Sequence, residues 1–476
     1  MTICIIAEGS YPYVAGGVSS WISQIIKAFP EHKFKIISIM PSKKETTELK
    51  YEIHDNVIKL RTLYLNDYLN IKHKRIKRNH GYSDIEKEKV KQLIRINRKV
   101  DWEFIIKFFN KRQGPGTAID FLQSKFFFEK AVELYNEKYD DEVFNIFFWT
   151  LRNMFLPLIY LIQQKAEDTD IYLSASTGYA GILATAFSFK INKPLVLAEH
   201  GIYGREREEE LLKAKWVTGI YKKLWIDFFY SISSAAYNRA EIVTSLFLAN
   251  RNIQVKLGVD CRKTRITPNG INYDNLDIER VPHDTINVAS ILRIVPIKDV
   301  MTMIRAFSIV RQKVDNVKFY LIGPGEEDSS YAQQCKNLVE LLDLQDSIIF
   351  TGRVNIKDYL GKLDILVLTS ISEGQPLVIL EGWAAKIPSI STDVGSCRDL
   401  LEADKYEGPC GIVTKLASPS DTAAAILKLI SNPKLREEMG NNGLKRVKRL
   451  YNDKVLISSY RDIFDSVYQK YDKKVE

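Results

Sequence analysis

Cysteine and histidine are scarce in this chain of 476 residues, which has five cysteines and six histidines. The cysteines lie far apart and form no C-x-x-C pair, at positions Cys4, Cys261, Cys335, Cys397 and Cys410. An odd number of dispersed cysteines argues against a disulfide framework and against a zinc site. We therefore expect a protein of a reducing compartment.

Long apolar segments are also nearly missing. The N-terminus has no basic region and its apolar run ends at Glu8, which predicts a buried strand and not a signal peptide. The best candidate for a membrane span, residues 144–162, contains Arg152, Asn153 and Pro157. A charge in mid-span costs about 2.5–3.5 kcal/mol, so a core helix or a surface-docking helix is favoured over a span. We expect a cytoplasmic protein, either free or peripheral at the inner face of the cell membrane.

The formal net charge of +9 is concentrated in one stretch, residues 72–112. The basic side chains of its first part are Lys72, Lys74, Arg75, Lys77 and Arg78, and those of its second part include Lys87, Lys89, Lys91, Arg95, Arg98 and Lys99. One interpretation is a solvated helical face, and the other is a patch that faces anionic lipid or an acidic partner. No nucleic-acid motif accompanies the charge, so nucleic acid is disfavoured. Together with the aromatic residues at 216–237, the stretch suggests contact with a membrane partner.

Short β-branched runs alternate with longer amphipathic stretches, which predicts βαβ units, parallel sheets and an α/β fold. We predict an N-terminal domain over 1–267 with a basic, helix-like insertion at about 55–164, a linker at 268–284, a C-terminal domain over 285–451, and a C-terminal helix over 452–476 that can cross back to the first domain. The predicted strands are 2–7, 34–40, 171–174, 195–199, 242–245, 286–292, 317–322, 347–350, 365–369 and 389–391. Two such domains place ligands at the carboxyl ends of their strands, so a ligand held by both would sit in a cleft between them.

A glycine pair, Gly16 and Gly17, follows the first predicted strand and leads into an amphipathic stretch. Glycine allows close approach of the backbone to a ligand, and a helix N-terminus offers N–H groups to phosphate. The alternative is an ordinary turn. The pair is not part of G-x-G-x-x-G, so a dinucleotide fold is disfavoured.

Two cations, Arg293 and Lys298, follow the strand predicted at 286–292. Such a pair can neutralise a diphosphate leaving group. The alternative is a pair of surface cations near a turn.

The segment EGQPLVILE at residues 373–381 is the most specific motif. Glu373 follows a predicted strand, Gly374 permits a tight turn, and Glu381 lies about two helical turns further on, so both carboxylates can face one side of a cleft. A carboxylate accepts hydrogen bonds from adjacent sugar or ribose hydroxyls. Paired glutamates at this spacing occur by chance, but the complete context of strand, Glu-Gly-x-Pro and apolar helix favours a site.

Two further loops follow predicted strands. His200, in EHGIY at 199–203, could hydrogen-bond a sugar or move a proton, and the alternative is a structural histidine. Asn269, in PNGI at 268–271, follows a further predicted strand that ends near Thr267, and it belongs either to the same site or to a simple turn.

Together these motifs resemble family 4 glycosyltransferases of the GT-B fold, in the order in which they occur in that family. EGSYPY at 8–13, GGVSSW at 16–21 and EHGIY look like the PelF group, the cytosolic glycosyltransferases of Pel-type exopolysaccharide systems. The resemblance covers nearly the whole chain, and the basic insertion matches least. Family members often have small residues where this chain has Ser370-Ile371-Ser372, so the donor pocket could differ.

The resemblance implies a function and roles. It implies transfer of a hexose or N-acetylhexosamine from a UDP-sugar to a growing exopolysaccharide, with retention of configuration and without a metal or other cofactor. Its partners would be the UDP-sugar, the polysaccharide acceptor and membrane-embedded synthesis or export proteins. The implied diphosphate contacts are Gly16, Gly17, Arg293 and Lys298, with Asn269 and Gly374 in the same binding set, Glu373 on the donor sugar, Glu381 on the ribose and His200 near the anomeric carbon.

Several alternatives remain open. A family 4 enzyme with another donor or acceptor, such as a lipid-linked glycan, fits the same motifs. A metal-dependent GT-A enzyme needs an Asp-x-Asp site after a strand, whereas Asp168-Thr169-Asp170 precedes one. A catalytically idle scaffold of an export complex is opposed by the intact charged residues, and no lysine stands out for the pyridoxal phosphate of a phosphorylase.

Overall fold

The computed structural model describes residues 1–45, 48–70, 81–112, 114–217, 219–276 and 278–472. Lys72, Lys74, Arg75, Lys77 and Arg78 of the predicted basic stretch lie outside the described residues. The chain forms two compact units, which we call unit 1 (residues 1–267 with 460–476) and unit 2 (residues 268–459).

Unit 1 is built on a parallel sheet of seven strands among the described residues, in the order β3-β2-β1-β4-β5-β6-β7. The strands are β1 Thr2–Glu8, β2 Lys33–Met40, β3 Val57–Tyr64, β4 Ile171–Ser174, β5 Leu195–Glu199, β6 Ile242–Ser245 and β7 Thr264–Ile266. The helices that begin in this unit are α1 Gly17–Ala28, α2 Asp84–Ile94, α3 Trp102–Phe109, α4 Ala118–Leu122, α5 Lys125–Lys138, α6 Phe144–Ile162, α7 Tyr179–Ile191, α8 Tyr203–Lys213, α9 Ile220–Arg239 and α10 Leu248–Lys256. The central strands are apolar and buried, as expected of a sheet covered on both faces.

The insertion differs from the prediction at its start. We predicted helix-like structure from about residue 55, but β3 pairs in parallel with β2 at the edge of the sheet. Lys59 and Arg61 interrupt the apolar pattern of a strand. Their charges are compensated by the Glu167 carboxylate, which lies 2.8 Å from Lys59 and 3.5 Å from Arg61. The rest of the described insertion is helical, as predicted.

The long apolar helix α6 packs inside unit 1. It has 19 residues and a mean hydropathy high enough for a span, the one such helix in the described part of the chain, but 56% of its most apolar window is buried. Phe147, Leu151 and Phe155 are fully or almost fully buried, and Phe155 packs edge-on against Phe228 of α9. The structure therefore supports the interpretation of this segment as a core helix.

Basic side chains in the described part of the stretch form ion pairs with nearby carboxylates. Lys89 lies 3.1 Å from Asp101, Lys91 lies 3.6 Å from Glu133, and Arg98 lies 3.8 Å from Asp227. Further pairs join Lys87 to Asp84, Arg95 to Glu137, Lys107 to Glu103 and Lys111 to Glu86. Because these charges are compensated, the described residues favour the solvated helical face over an unpaired cationic patch.

Unit 2 has a parallel sheet of six strands among the described residues, in the order β10-β9-β8-β11-β12-β13. The strands are β8 Ile286–Ile291, β9 Val317–Ile322, β10 Ile348–Gly352, β11 Ile365–Leu368, β12 Ser389–Thr392 and β13 Gly411–Thr414. The helices are α11 Val300–Arg311, α12 Ser329–Leu341, α13 Lys357–Leu360, α14 Leu377–Ala384, α15 Cys397–Leu401, α16 Pro419–Ser431, α17 Pro433–Leu450 and α18 Asp453–Asp472, whose residues from Tyr460 onward belong to unit 1.

The segment predicted as a linker packs on unit 2 in its described residues. Ile271 N–H donates to Tyr451 O at 2.9 Å, and Val281 N–H donates to Gly361 O at 2.8 Å. A side chain on Gly270 would lie 2.4 Å from Asn452 O, so this glycine allows two backbones to touch.

Each sheet reverses its strand order at one point. In unit 1 the reversal falls between β1 and β4, and in unit 2 it falls between β8 and β11. Loops leave the two strands in opposite directions there and open a crevice, which is where ligands bind in sheets of this type. The residues after these four strands are therefore the first candidates for a site.

Candidate active site

Lys298 and Glu373 meet at the reversal point of unit 2. Lys298 follows β8, Glu373 follows β11, and Lys298 Nζ lies 2.5 Å from Glu373 Oε1. Ser370 Oγ donates to the same carboxylate oxygen at 2.6 Å. Both charged side chains are shielded, at 21% exposure for Lys298 and 10% for Glu373, so the pair acts in a region of reduced dielectric.

Hydrogen bonds between the two loops hold this pair in place. Thr369 Oγ1 donates to Asp299 O at 2.9 Å, and Ile371 N–H donates to Ile297 O at 2.8 Å. Asp299 has a left-handed backbone and caps α11 by accepting from Thr302 N–H at 3.3 Å. The loop after β8 is therefore short and rigid, which fixes Lys298 in front of the loop after β11.

The turn that carries Glu373 and Gly374 is packed against the loop after β12. Gly395 has φ +56°, and a Cβ at this position would lie 2.1 Å from Glu373 O. Ser396 N–H and Ser396 Oγ both donate to Gly374 O at 3.0 Å. These contacts hold the start of α14 in position, and its N-terminal N–H groups can receive an anion.

Asn269 is joined to the same turn through Gln375. Asn269 N–H donates to Gln375 Oε1 at 2.7 Å, and Gln375 is only 8% exposed. Gln375 Nε2 has no hydrogen-bond partner among the described residues. Sequence reasoning missed Gln375, although its place inside the Glu-Gly-x-Pro motif was a usable signal.

Glu381 and Arg293 occupy different surroundings. Glu381 lies on α14, and burial raises the pKa of its carboxyl above the usual range. Arg293 is exposed and pairs with Glu327, with Nη1 2.7 Å from Oε1. The structure thus brings Lys298 together with Glu373, whereas the other predicted cation contacts a carboxylate outside the predicted set.

A cavity of about 520 Å³ opens beside these loops, at the ends of β8, β9 and β10. Ile294, Gly323, Glu326 and Gly352 are among its lining residues. Gly323 has φ +140°, and a Cβ there would lie 1.8 Å from Leu292 O, so glycine allows the ends of β8 and β9 to approach. The sequence gives little sign of this cavity because its walls come from separate strands.

In unit 1, Gly16 and Gly17 begin α1. Both are exposed, and a Cβ at either position would have no atom within 4 Å. Tyr51 OH lies 3.3 Å from both the N and the O of Gly16 and so steadies the turn. The turn therefore leaves space beside the start of α1, and the phosphate contact of Gly16 and Gly17 stays a prediction.

His200 lies at the end of β5 and contacts Trp21 of α1. The two rings meet edge-on with centroids 4.6 Å apart, and Trp21 also packs 5.4 Å from Tyr460. Burial lowers the pKa of His200 to about 4, so the imidazole is neutral near pH 7. Its Nε2 is buried and has no hydrogen-bond partner among the described residues. Trp21 ends the GGVSSW segment at 16–21, but the sequence predicts no role for it.

The acidic residues of the rejected Asp-x-Asp alternative are structural. Asp170 Oδ2 accepts from Thr2 N–H at 2.7 Å, and Thr169 Oγ1 donates to Thr2 O at 2.9 Å, so the segment fastens β1 to the start of β4. In the described part of the chain, His, Cys, Asp and Glu form no group of three that could hold a metal ion.

Comparison with known families separates the two units. Residues 1–262 match the model of a domain of unknown function (DUF3492), and residues 274–446 match the glycosyl transferases group 1 model. The chain belongs to the DUF3492 family and is a glycosyltransferase. The first match covers more than half of the chain, and the second covers the region that holds Lys298 and Glu373.

Known glycosyltransferases resemble this one along different lengths. The N-acetyl-alpha-D-glucosaminyl L-malate synthase of Bacillus anthracis is 27% identical over 172 residues, which cover 36% of this chain and 43% of that protein. The capsular polysaccharide biosynthesis glycosyltransferase CapM of Staphylococcus aureus is 24% identical over 337 residues, which cover 67% of this chain and 82% of that protein. The chain therefore spans less than half of the first relative and most of the second.

Solved structures confirm the fold class. Sucrose-phosphate synthase from Thermosynechococcus elongatus has a TM-score of 0.62 at 15% identity, covering 98% of this chain and 99% of that one. HepE from Anabaena in complex with UDP and glucose has a TM-score of 0.58 at 14% identity, covering 97% and 99%. At such identities the likeness shows the fold alone, and that fold is the predicted GT-B class of two Rossmann-like domains.

Proposed function

We propose that this glycosyltransferase moves a hexose or an N-acetylhexosamine from a UDP-sugar to a growing exopolysaccharide, as in the PelF group of Pel-type systems. The observation that carries the proposal is the shielded pair of Lys298 and Glu373, 2.5 Å apart at the strand reversal of unit 2. A cation for a diphosphate and a carboxylate for sugar hydroxyls are thus presented together. The UDP and glucose bound to HepE and the capsular polysaccharide role in the name of CapM support the choice of substrates.

In the proposed reaction, the bond between the anomeric carbon and the diphosphate oxygen breaks while the acceptor oxygen bonds to the same face of the anomeric carbon. The acceptor proton passes to a phosphate oxygen of the leaving UDP, so the configuration is retained and neither a protein nucleophile nor a metal takes part. Lys298 stabilises the negative charge that develops on the leaving group, which is the step at which a fixed cation is most effective.

The remaining residues bind and orient. Glu373 receives donor-sugar hydroxyls and Glu381 receives the ribose. The N–H groups at the start of α14, beginning after Gly374, receive phosphate oxygens. In unit 1, the open space beside Gly16 and Gly17 lets a phosphate approach the start of α1, and neutral His200 can donate or accept one hydrogen bond near the reacting carbon.

The proposal also includes a place of action. The enzyme would work on the cytoplasmic side, with membrane-embedded synthesis or export proteins that carry the polymer away. Compensated charge in the described basic stretch gives no support to direct binding of anionic lipid, so we place the contact with a protein. Co-purification of the chain with the membrane fraction only when such a partner is present would support this part.

The first test is thermal unfolding of the full chain with UDP, GDP or ADP, each with and without magnesium. A ligand at 100 times its dissociation constant adds about 2.7 kcal/mol to the free energy of unfolding. A rise with UDP alone that magnesium does not change supports the proposal, and a panel of UDP-sugars then identifies the donor. A rise with GDP or ADP alone refutes the UDP assignment, and no rise with any nucleotide favours a scaffold without activity.

A further inference from the structure

A buried carboxylate lies immediately before His200. Glu199 is 2% exposed and ends β5. Its Oε1 accepts from Thr177 Oγ1 at 3.1 Å and from Tyr203 N–H at 3.3 Å. Its Oε2 accepts from Tyr237 OH at 2.7 Å and from Gln254 Nε2 at 3.0 Å. Four donors therefore fill the four lone-pair positions of one carboxylate.

The four donors come from different parts of unit 1. Thr177 follows β4, Tyr203 begins α8, Tyr237 lies on α9 and Gln254 lies on α10. The Glu199 side chain is thus held from several directions, and the backbone that leads into His200 starts from a fixed point. Burial raises the pKa of Glu199 to about 7 against the effect of these donors.

Tyr203 fixes the other end of the same loop. Its N–H donates to Glu199, while its OH donates to Glu8 Oε1 at 3.0 Å. Glu8 ends β1, and its other oxygen accepts from Ala180 N–H at the start of α7 at 3.2 Å. One tyrosine therefore connects the carboxylates of Glu8 and Glu199, at the ends of β1 and β5.

The loop between these two anchors is short and packs against the Glu206 side chain. Between Glu199 and Tyr203 it contains His200, Gly201 and Ile202, and a Cβ on Gly201 would lie 1.8 Å from Glu206 Oε1. The His200 ring receives no hydrogen bond at Nε2 from the described residues and contacts Trp21 through its edge. The position of the ring therefore depends on the backbone on both sides of it.

We propose that Glu199 and Tyr203 are positioning residues that together hold the His200 ring against Trp21. They act on His200 through the loop backbone and do not touch the reacting atoms. The inference rests on the proposed function only where it assigns the His200 ring a place near the anomeric carbon. The geometric part, that the two residues fix the ring, does not depend on which sugar is transferred.

The test uses the full chain labelled with carbon-13 at histidine Cε1, which gives one resonance for each of the six histidines. The resonance that vanishes in His200→Gln belongs to His200, and the adjacent Trp21 ring displaces it from its usual frequency. We expect Tyr203→Phe and Glu199→Gln to move this resonance towards its usual frequency and leave the other five in place. Both variants should keep the UDP-induced thermal shift and lower kcat about tenfold, since a misplacement of 1 Å can cost up to about a hundredfold in rate.

Tyr172→Phe is the matched control. Tyr172 is also a fully buried tyrosine of unit 1, and its OH donates to Glu167 O, away from His200. It should lose stability in the same way as Tyr203→Phe while the His200 resonance and kcat stay at their wild-type values. If Glu199→Gln does not fold, Tyr237→Phe removes one donor of the same carboxylate and takes its place.

The proposal is overturned if the His200 resonance is unmoved in Tyr203→Phe and Tyr237→Phe, or if Tyr172→Phe moves it equally. A wild-type chain without transfer activity would count against the proposed function alone, because the resonance still reports the position of the ring.

Discussion

Replacing Lys298 with methionine removes the cation of the candidate site and keeps most of the side-chain volume. In the structure Lys298 Nζ is 2.5 Å from Glu373 Oε1, and Ser370 Oγ also donates to that carboxylate oxygen. The variant leaves Glu373, 10% exposed, without its counter-ion. Removing one partner of a fully buried pair costs about 3–5 kcal/mol, and the residual access of water reduces this to about 1–3 kcal/mol of unfolding free energy.

The same substitution should also weaken nucleotide binding. A hydrogen bond to a charged group contributes about 1.5–3 kcal/mol, which corresponds to a change of roughly 10- to 150-fold in the dissociation constant. At a UDP concentration 100 times the wild-type dissociation constant, the ligand stabilises the wild type by about 2.7 kcal/mol. A variant that binds 100-fold more weakly gains only about 0.4 kcal/mol under the same conditions.

Thermal unfolding with and without UDP measures this difference directly, and titration calorimetry gives the dissociation constants. Lys428→Met is the matched control, because Lys428 is an exposed lysine on α16 of the same unit and the substitution makes the same change of charge. It should retain the full shift with UDP. If Lys298→Met also retains the full shift, Lys298 does not contact the diphosphate and the reasoning from the pair is wrong.

Three further outcomes follow from particular contacts. Gly395→Ala should lower the free energy of unfolding in urea by about 2–5 kcal/mol, because the new Cβ would lie 2.1 Å from Glu373 O and the backbone there has a left-handed φ. An unchanged urea midpoint would contradict that contact. Burial lowers the pKa of His200 from its usual 6.5 to about 4, so stability should fall as the pH drops through this window. His200→Asn should remove up to about 3 kcal/mol of the fall between pH 7 and pH 4, measured by denaturant titrations at the two pH values. A wild-type slope in that variant would show that other groups cause the loss. Substituting glutamine for both Lys89 and Lys91, which already pair with carboxylates, should leave flotation with anionic vesicles unchanged, and reduced flotation would show that these lysines face lipid.

The buried strands could be predicted because each appears in the sequence as a short β-branched run, which is how a strand covered on both faces reads. Two strands, β3 and β13, were not predicted, each for a different reason. In β3, Lys59 and Arg61 interrupt the apolar pattern and are compensated by a carboxylate far along the chain. β13, Gly411–Thr414, comes shortly after Gly408-Pro409, and this pair is typical of a loop. Helix α17 was also missed, since its polar sequence has a narrow apolar side.

The sequence predicts which candidate site residues follow strands, but it does not predict which of them are in contact. Lys298 and Glu373 are 75 positions apart, and they meet because β8 and β11 are neighbours in the sheet order, a long-range pairing that local patterns do not contain. The donors to Glu199 show the same limit, since Thr177 lies 22 positions before it and Gln254 lies 55 positions after it. Gln375 lies in EGQPLVILE and Trp21 lies in GGVSSW. Their roles follow only from the structure, in which Gln375 contacts Asn269 and Trp21 contacts His200.

The pairing of Lys298 with Glu373 has a consequence for the order of recognition. A diphosphate that draws the ammonium group towards itself also draws it away from a carboxylate that is shielded from water. UDP alone would leave Glu373 with weaker compensation, whereas a UDP-sugar supplies hydroxyl groups that can donate to the same oxygens. Under the proposed function, the two ends of the donor would therefore be recognised as a unit, because a gain at Lys298 would be complete only when Glu373 receives the sugar. Such a coupling would make the proposed enzyme hold the intact donor more tightly than the nucleotide product, and so favour release of UDP after transfer.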